Sequence, residues 1–258
     1  MSGRPTARGS PGPECTTTIS GDPRAVGLPD TGVRVIVEPN PIYAGAARNR
    51  GIDATRAPIV GFLADDCEAL EGWVRERLLS HASGDVAVAS ALLPHRPRHP
   101  VALAAHLALF VNRLPGAEER HALRYGVSYR RELFESLGPF REDLRTGEDT
   151  EFNARVRTVA EIAWNPRVQT THRGEDRLRP FLADQYVRGA RMSSTWRALN
   201  GSANDPVARD AVRRIPTTLG RAWRALPARE RGALLLAAPA VVLGGLAYAA
   251  GARRRERT

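Results

Sequence analysis

The sequence predicts an α/β fold, with a mostly parallel sheet flanked by helices and a hydrophobic helix near the C-terminus. Three observations predict it. Short β-branched or apolar runs alternate with stretches of helical length between residues 33 and 93. Gly and Pro punctuate the joins, as they do between strands and helices. Residues 232–252, "GALLLAAPAVVLGGLAYAAGA", carry no charge and are apolar all round.

The elements follow in order. "VRVIVE" (33–38) alternates and is β-branched, which predicts a strand. "NPIYAGAARNRGIDAT" (40–55) predicts a loop and then a helix, and "PIVGFLA" (58–64) a fully apolar strand. "EGWVRERLLSHAS" (71–83) is amphipathic at helical spacing, and "DVAVASALL" (85–93) reads as another strand. Strand, helix, strand, helix, strand is the order of a largely parallel sheet. "PHRPRHP" (94–100) breaks the pattern before an apolar helix, "VALAAHLALFVNRL". "HALRYGVSYRRELFESLGPF" (121–140) predicts a strand and a short helix that stops at Gly138. "EDTEFNARVRTV" (148–159) opens with acids, which the helix macrodipole favours in a first turn. "IAWNPRVQTTH" (162–172) reads as two strand pieces split at Asn165-Pro166, and "LRPFLADQYVRGARMSSTWRAL" (178–199) as a long helix.

The formal net charge is +10, and every basic residue is Arg, since the chain has no Lys. Such a charge suits nucleic acid or a membrane surface. No basic block is interleaved with aromatics as in a nucleic-acid binder, so nucleic acid is not expected as a partner. The two cysteines, Cys15 and Cys67, lie in unlike contexts, which suits a reducing compartment. "MSGRPTARGSPGPE" has no apolar h-region and is rich in Pro, Gly and Ser, so residues 1–30 are expected to be disordered and order to begin near Gly32. The expected organisation is then a main domain over 31–200, a juxtamembrane helical linker over 201–228, a transmembrane helix over 229–252 and a basic tail over 253–258. The apolar helix is long enough to cross the hydrocarbon core and is expected to project from the domain. Arg229 and Arg231 precede it and Arg253, Arg254, Arg255 and Arg257 follow it, so the positive-inside rule leaves its orientation open.

One short stretch points to chemistry. "IVGFLADDCEALEGW" (59–73) ends an apolar run on two adjacent carboxylates, Asp65 and Asp66. Like charges side by side repel, and a cation relieves them. In an open α/β sheet, ligands bind beyond the carboxyl ends of strands. Hard divalent cations there use one or two carboxylates together with substrate phosphates. Read alone, the pair is also explained by a strand end in solvent or by a helix cap.

The surrounding residues carry a family resemblance. "YAGAARNRGIDATRAPIVGFLADDCEALEGW" resembles the family 2 glycosyltransferases of GT-A (Rossmann-like) fold, with their Ala-Arg-Asn-x-Gly, a strand ending Phe-Leu-Asp-x-Asp, and a Gly-Trp opening a helix. "YGVSYRRELFESLGPFREDLRTGEDTEFNARVR" (125–157) resembles their later Arg-Arg-x-x-Phe, Gly-x-Phe and Gly-Glu-Asp elements. Together the two cover roughly residues 33 to 190. The resemblance implies an inverting transfer of a sugar from a nucleotide-sugar donor, with Mg²⁺ or Mn²⁺, to a glycan or lipid-linked acceptor. It makes Asp66 the direct metal ligand and Asp65 a neighbour of ribose or metal. It places Arg48 and Asn49 at the nucleotide, Asp149 as catalytic base, and His172 at a further metal or diphosphate contact. Envelope glycan or glycolipid synthesis, with the domain at the cell membrane on its cytoplasmic side, is the matching setting. The sequence departs from the family at Ala64, where most members have the first Asp. The family's first strand and helix are also expected to be missing; "TTTISGDP" (16–23) stands where the second strand and its base-contacting acid, here Asp22, would fall. The alternative reading is a truncated, inactive, membrane-tethered relative.

Overall fold

A computed structural model describes residues 16–20, 34–200 and 205–254. In chain order the elements are β1 (Thr16–Ser20), β2 (Arg34–Glu38), α1 (Ala44–Asp53), β3 (Ile59–Gly61), β4 (Cys67–Ala69) and α2 (Trp73–Ala82). Then come β5 (Ala87–Pro94), α3 (Pro100–Phe110), β6 (Ser128–Arg130), α4 (Glu132–Leu137) and α5 (Glu148–Val156). β7 (Ala163–His172), α6 (Leu178–Asn200), α7 (Val207–Ala225) and α8 (Arg231–Ala252) complete the chain. β1 lies inside the stretch expected to be disordered, and it pairs in parallel with β2. Cys15 and Asp22 lie outside the described residues.

The chain divides into two units. The first takes in the residues up to Phe62, a short piece at 84–87, and 127–162. Its core is aromatic. Phe134 stacks on Phe152 with centroids 4.8 Å apart, and Phe140 and Tyr129 close on Phe152 at 4.7 and 5.1 Å. Such offset and edge-on pairs add to what burial alone supplies. The Tyr129 hydroxyl, which burial would strand, donates to Asn153 Oδ1 at 2.7 Å. β3 pairs antiparallel with β6. The apolar run 58–64 yields a strand of three residues, Ile59–Gly61, rather than seven.

The loops of this unit are held by arginine. Arg131 donates to the carbonyls of Ile52, Thr55 and Ala57 at 3.3, 2.8 and 2.8 Å. Arg155 spans the carbonyls of Leu137, Gly138 and Pro139 while pairing with Glu151 at 2.8 Å. The planar guanidinium offers several donors in a fixed fork, so one side chain can satisfy several turn carbonyls.

The second unit holds 63–83, 88–126 and 163 to the C-terminus. β5 is buried along nearly its whole length and pairs in parallel with β7, while β4 lies antiparallel on β7's other side. With β3–β6 antiparallel as well, the pairing is mixed, in keeping with the expected α/β fold. β4, "CEA", was not expected: three residues show no period, and only the partner strand makes them extended. The split expected at Asn165-Pro166 is instead a bulge within one strand. Ser90 faces Asn165 and Ala91 faces Gln169, so three residues of β7 are extruded around Pro166, which has no N–H for the ladder. Arginines hold this unit too. Arg77, only 3% exposed, donates to the carbonyls of Val88 and Gly126 and lies over the Trp73 ring at 4.2 Å.

α8 does not project. Leu234, Ala237, Ala240 and Val241 on its inner face join Leu103, Leu107, Phe181 and Ala222 in one apolar cluster of α3, α6 and α7. Closer to its end, side chains at Gly189 and Gly251 would collide with the carbonyls of Tyr248 and Tyr186, so α6 and α8 meet backbone to backbone. The expectation of a free-standing helix fails because the bundle offers glycines and alanines that admit it. The helical stretch Ala228–Ala252, which contains a window of mean hydropathy 2.0, is nonetheless long and apolar enough to cross a membrane.

α3 also buries His106 (1% exposed), whose Nε2 donates to the Leu92 carbonyl at 3.2 Å. Burial, reinforced by the nearby His172, pushes its pKa down to about 3. The unfolded chain binds that proton at an ordinary histidine pKa, so this group's contribution is full above about pH 6.5 and falls away as pH drops towards 3. The slope reaches about 1.4 kcal/mol per pH unit inside that window. Urea midpoints for the protein and for His106→Leu, compared at pH 7.5 and pH 5, should fall more steeply in the unmutated chain; equal falls would contradict the account.

Candidate functional site

The chain leaves β3 at Gly61 and reaches the paired carboxylates through a tight turn, in which Cys67 N–H donates to the Ala64 carbonyl at 3.0 Å. β4 then runs antiparallel to β7 with Cys67 opposite His172. The Arg173 N–H donates to the Asp66 carbonyl at 2.9 Å and fixes that turn against the end of β7. This register sets His172 Nε2 3.3 Å from Asp66 Oδ2. The Asp66 side chain is 50% exposed, whereas that of His172 is 13% exposed, with Phe110 edge-on at 5.0 Å. Among the described residues, His172 Nδ1 is buried without a hydrogen-bond partner. Cys67 Sγ donates to Asp66 Oδ1 at 3.3 Å; burial and that bond push the thiol up to about 12, so it stays protonated and unreactive.

Asp66 and His172 open onto a cavity of about 650 Å³, lined besides by Phe110, Arg173, Arg177 and Phe181. That volume suits a small-molecule ligand. The apolar wall comes mainly from α3, through Leu109 and Phe110, and the polar wall from the segment after β7 and from Asp184 and Arg188 of α6. Of the three residues expected at a metal, two are thus brought together. Asp65 is exposed, and among the described residues no group of three or more His, Cys, Asp or Glu is gathered as a metal cage.

In the first unit, the residues expected at the nucleotide have protein partners. Asn49 (5% exposed) donates from Nδ2 to the Phe140 carbonyl at 2.9 Å and accepts from the Phe140 N–H at 3.0 Å. Its Nδ2 also reaches Glu142 Oε1 at 2.9 Å. Arg48 pairs with Glu148 at 2.6 Å and lies over Phe62 and Phe140 at 5.6 and 5.4 Å. A side chain at Gly45 would strike the Arg141 carbonyl, so α1 presses directly on this loop. The Ala-Arg-Asn and Gly-x-Phe segments are therefore one packed joint. Sequence reading overlooked Glu148, which is 6% exposed and anchors Arg48; its signal was only its place beside Asp149 in an acidic first turn.

Asp149 sits in that turn after Gly147, which caps α5 with a left-handed backbone (φ 87°). Asp149 Oδ1 accepts from the Thr150 N–H at 2.7 Å. The carboxylate is partly exposed, and among the described residues it forms no ion pair.

The joint makes a stability prediction. Asn49→Ala strands the Phe140 N–H and carbonyl in a buried setting and should cost about 2–4 kcal/mol. Chemical denaturation measures it; a loss below about 0.5 kcal/mol would mean the amide is dispensable.

Residues 25–136 match the family model described as Glycosyl transferase family 2. The match contains Arg48, Asn49, Asp65 and Asp66 and ends before Asp149 and His172. No curated protein matches the chain. Among solved structures, the mannosyltransferase PcManGT from Pyrobaculum calidifontis, in complex with GDP-Man and Mn²⁺, is similar at 18% identity and a TM-score of 0.44. That alignment covers 84% of this chain and 58% of the mannosyltransferase, so this chain spans less than two thirds of it. S. aureus TarS, residues 1–349, is similar at 13% identity and a TM-score of 0.40, covering 85% of this chain and 73% of that one. The family match, not these likenesses, carries the reading: residues 25–136 are similar to the family 2 glycosyltransferases.

Proposed function

We propose that the protein moves a sugar from a nucleotide-sugar donor to an acceptor hydroxyl with inversion at the anomeric carbon. The observation that carries the proposal is the Asp66–His172 pair on the rim of a ligand-sized cavity, in a chain whose residues 25–136 match a glycosyltransferase family model. In the reaction, the acceptor oxygen bonds to the anomeric carbon as the bond to the diphosphate oxygen breaks. The diphosphate leaves with the electron pair, and the acceptor proton goes to a carboxylate.

Asp149 is the proposed base. Its carboxylate stands in the first turn of α5, and a positioned carboxylate can take the acceptor proton. Asp66 and His172 fit a divalent cation. One offers an oxygen and the other an imidazole, and the buried His172 Nδ1 without a partner marks a ring not fully used by the protein. Mg²⁺ or Mn²⁺ held there would offset the charge gathering on the leaving diphosphate. Asp65, exposed beside the pair, is assigned to the ribose or the metal. Arg48 and Asn49 act at the nucleotide through the joint they hold together.

The acceptor is a glycan or lipid-linked hydroxyl, and the setting is the cell membrane, reached through α8, with the transferring domain on the cytoplasmic side. The free thiol of Cys67 suits that reducing side. Envelope glycan or glycolipid synthesis is the process this implies.

Two substitutions separate the roles. Asp66→Ala removes a metal ligand and should weaken donor binding, with partial rescue by excess Mn²⁺. Asp149→Asn keeps the shape but cannot accept a proton, so donor affinity should hold while turnover falls by about 10²–10⁴. Donor Kd by calorimetry and turnover with an acceptor decide it. Equal loss of donor affinity in both variants would remove Asp149 from the base role.

A further inference from the structure

Among the described residues, one face of α8 has no protein partner. Leu235, Leu236, Leu243 and Leu246 are 64, 70, 44 and 47% exposed, and Val242 is 37% exposed. Pro239 and Ala250 are exposed on the same row, so the stripe runs the length of the helix at three- and four-residue spacing. The opposite face is buried against α3, α6 and α7.

The same spacing carries the stripe onto Arg253 and Arg254, both exposed, three and four residues beyond Ala250. At the other end stand Arg229, 80% exposed, and Arg231, whose guanidinium lies over the half-exposed Trp223 ring at 5.1 Å. An apolar band with cations at both ends and an amphipathic aromatic at one is the chemistry of a helix lying in an anionic lipid interface.

The neighbours of α8 decide against crossing. A side chain at Gly245, midway along the exposed stretch, would meet Ile215 of α7. The exposed Arg213 and Arg214 flank that contact. α6, packed on the C-terminal half of α8, carries the exposed pair Arg188–Asp184. A bilayer-spanning α8 would carry these charges into hydrocarbon, where they are costly. Laid flat, the same helix buries only its stripe and leaves α6 and α7 in water. A second copy is the poorer occupant, because arginines close both ends. Symmetric pairing in either direction then sets cation against cation.

We propose that α8 binds in the plane of an anionic membrane surface through Leu235, Leu236, Leu243 and Leu246, with Arg253 and Arg254 selecting for negative headgroups, and that it does not span the bilayer. The proposal specifies how the membrane association suggested above is made, and its test does not read sugar transfer.

The full chain is mixed with preformed vesicles of phosphatidylcholine, with or without phosphatidylglycerol, and floated on a gradient. We expect flotation with the anionic vesicles, about tenfold less with phosphatidylcholine alone, and weakening by salt. Changing the four leucines to serine should abolish flotation, with helix content by circular dichroism confirming the fold. Arg253→Gln with Arg254→Gln, outside the packed face, should lose the anionic preference while keeping the fold. Alkaline carbonate should release the bound protein. No flotation with anionic vesicles, flotation unchanged in both variants, or resistance to carbonate would each overturn the proposal. So would a dimer in light scattering that the serine changes dissolve, since it would show a second copy on the stripe.

Discussion

Arginine donation to backbone carbonyls is the interaction on which this structure depends. Much of the chain that carries its motifs is loop, and loops leave carbonyls without ladder partners. Arg131 takes three of them between Ile52 and Ala57, and Arg155 three more around Gly138. In the second unit Arg77 and Arg113 do the same around β5 and the Tyr125–Gly126 turn. A lysine has no fork and could not bridge such sets, so the absence of lysine has a structural counterpart. Part of the net positive charge is thereby spent inside the fold and not offered to a polyanion.

The clamped loops separate supporting residues from those proposed to react. Asn49 is tied to the Phe140 backbone, and Arg48 is paired with Glu148 and stacked on Phe140, so both seat α1 on the Gly-Pro-Phe turn in closed sets of partners. Asp149 and Asp66 keep carboxylate oxygens free of such closed sets. Asp66 is bonded through its backbone, while its side chain meets the Cys67 thiol and the His172 imidazole. A residue held by its main chain keeps its side chain for a ligand.

The elements legible in the sequence were those with a period or a cap. α1, α2, α5 and α6 follow helical spacing, and the stop at Gly138 follows from a glycine with φ 82°. β4 was illegible because Cys-Glu-Ala becomes extended only by pairing with β7. Asn165-Pro166 correctly signalled disruption, but a parallel partner on β5 holds the strand together across it. At the site, the pairing of Asp66 with a distant His172 was legible only through family resemblance, and Glu148 was hidden by its more conspicuous neighbour. α8 was read from composition as a membrane span. Composition cannot say which face of a uniformly apolar helix its neighbours cover, and glycines that admit backbone contact look the same as membrane glycines.

The central claim is that the cavity beside Asp66 and His172 receives a nucleotide sugar with a divalent cation. Thermal unfolding of the full chain with a panel of sugar nucleotides, each with and without Mn²⁺, tests it most directly. The account predicts that some members raise the Tm, and that the rise depends on Mn²⁺ and is lost on chelation, because a ligand that binds only the folded state stabilises it. A Tm unmoved by every donor at saturating concentration, with and without the metal, would contradict it.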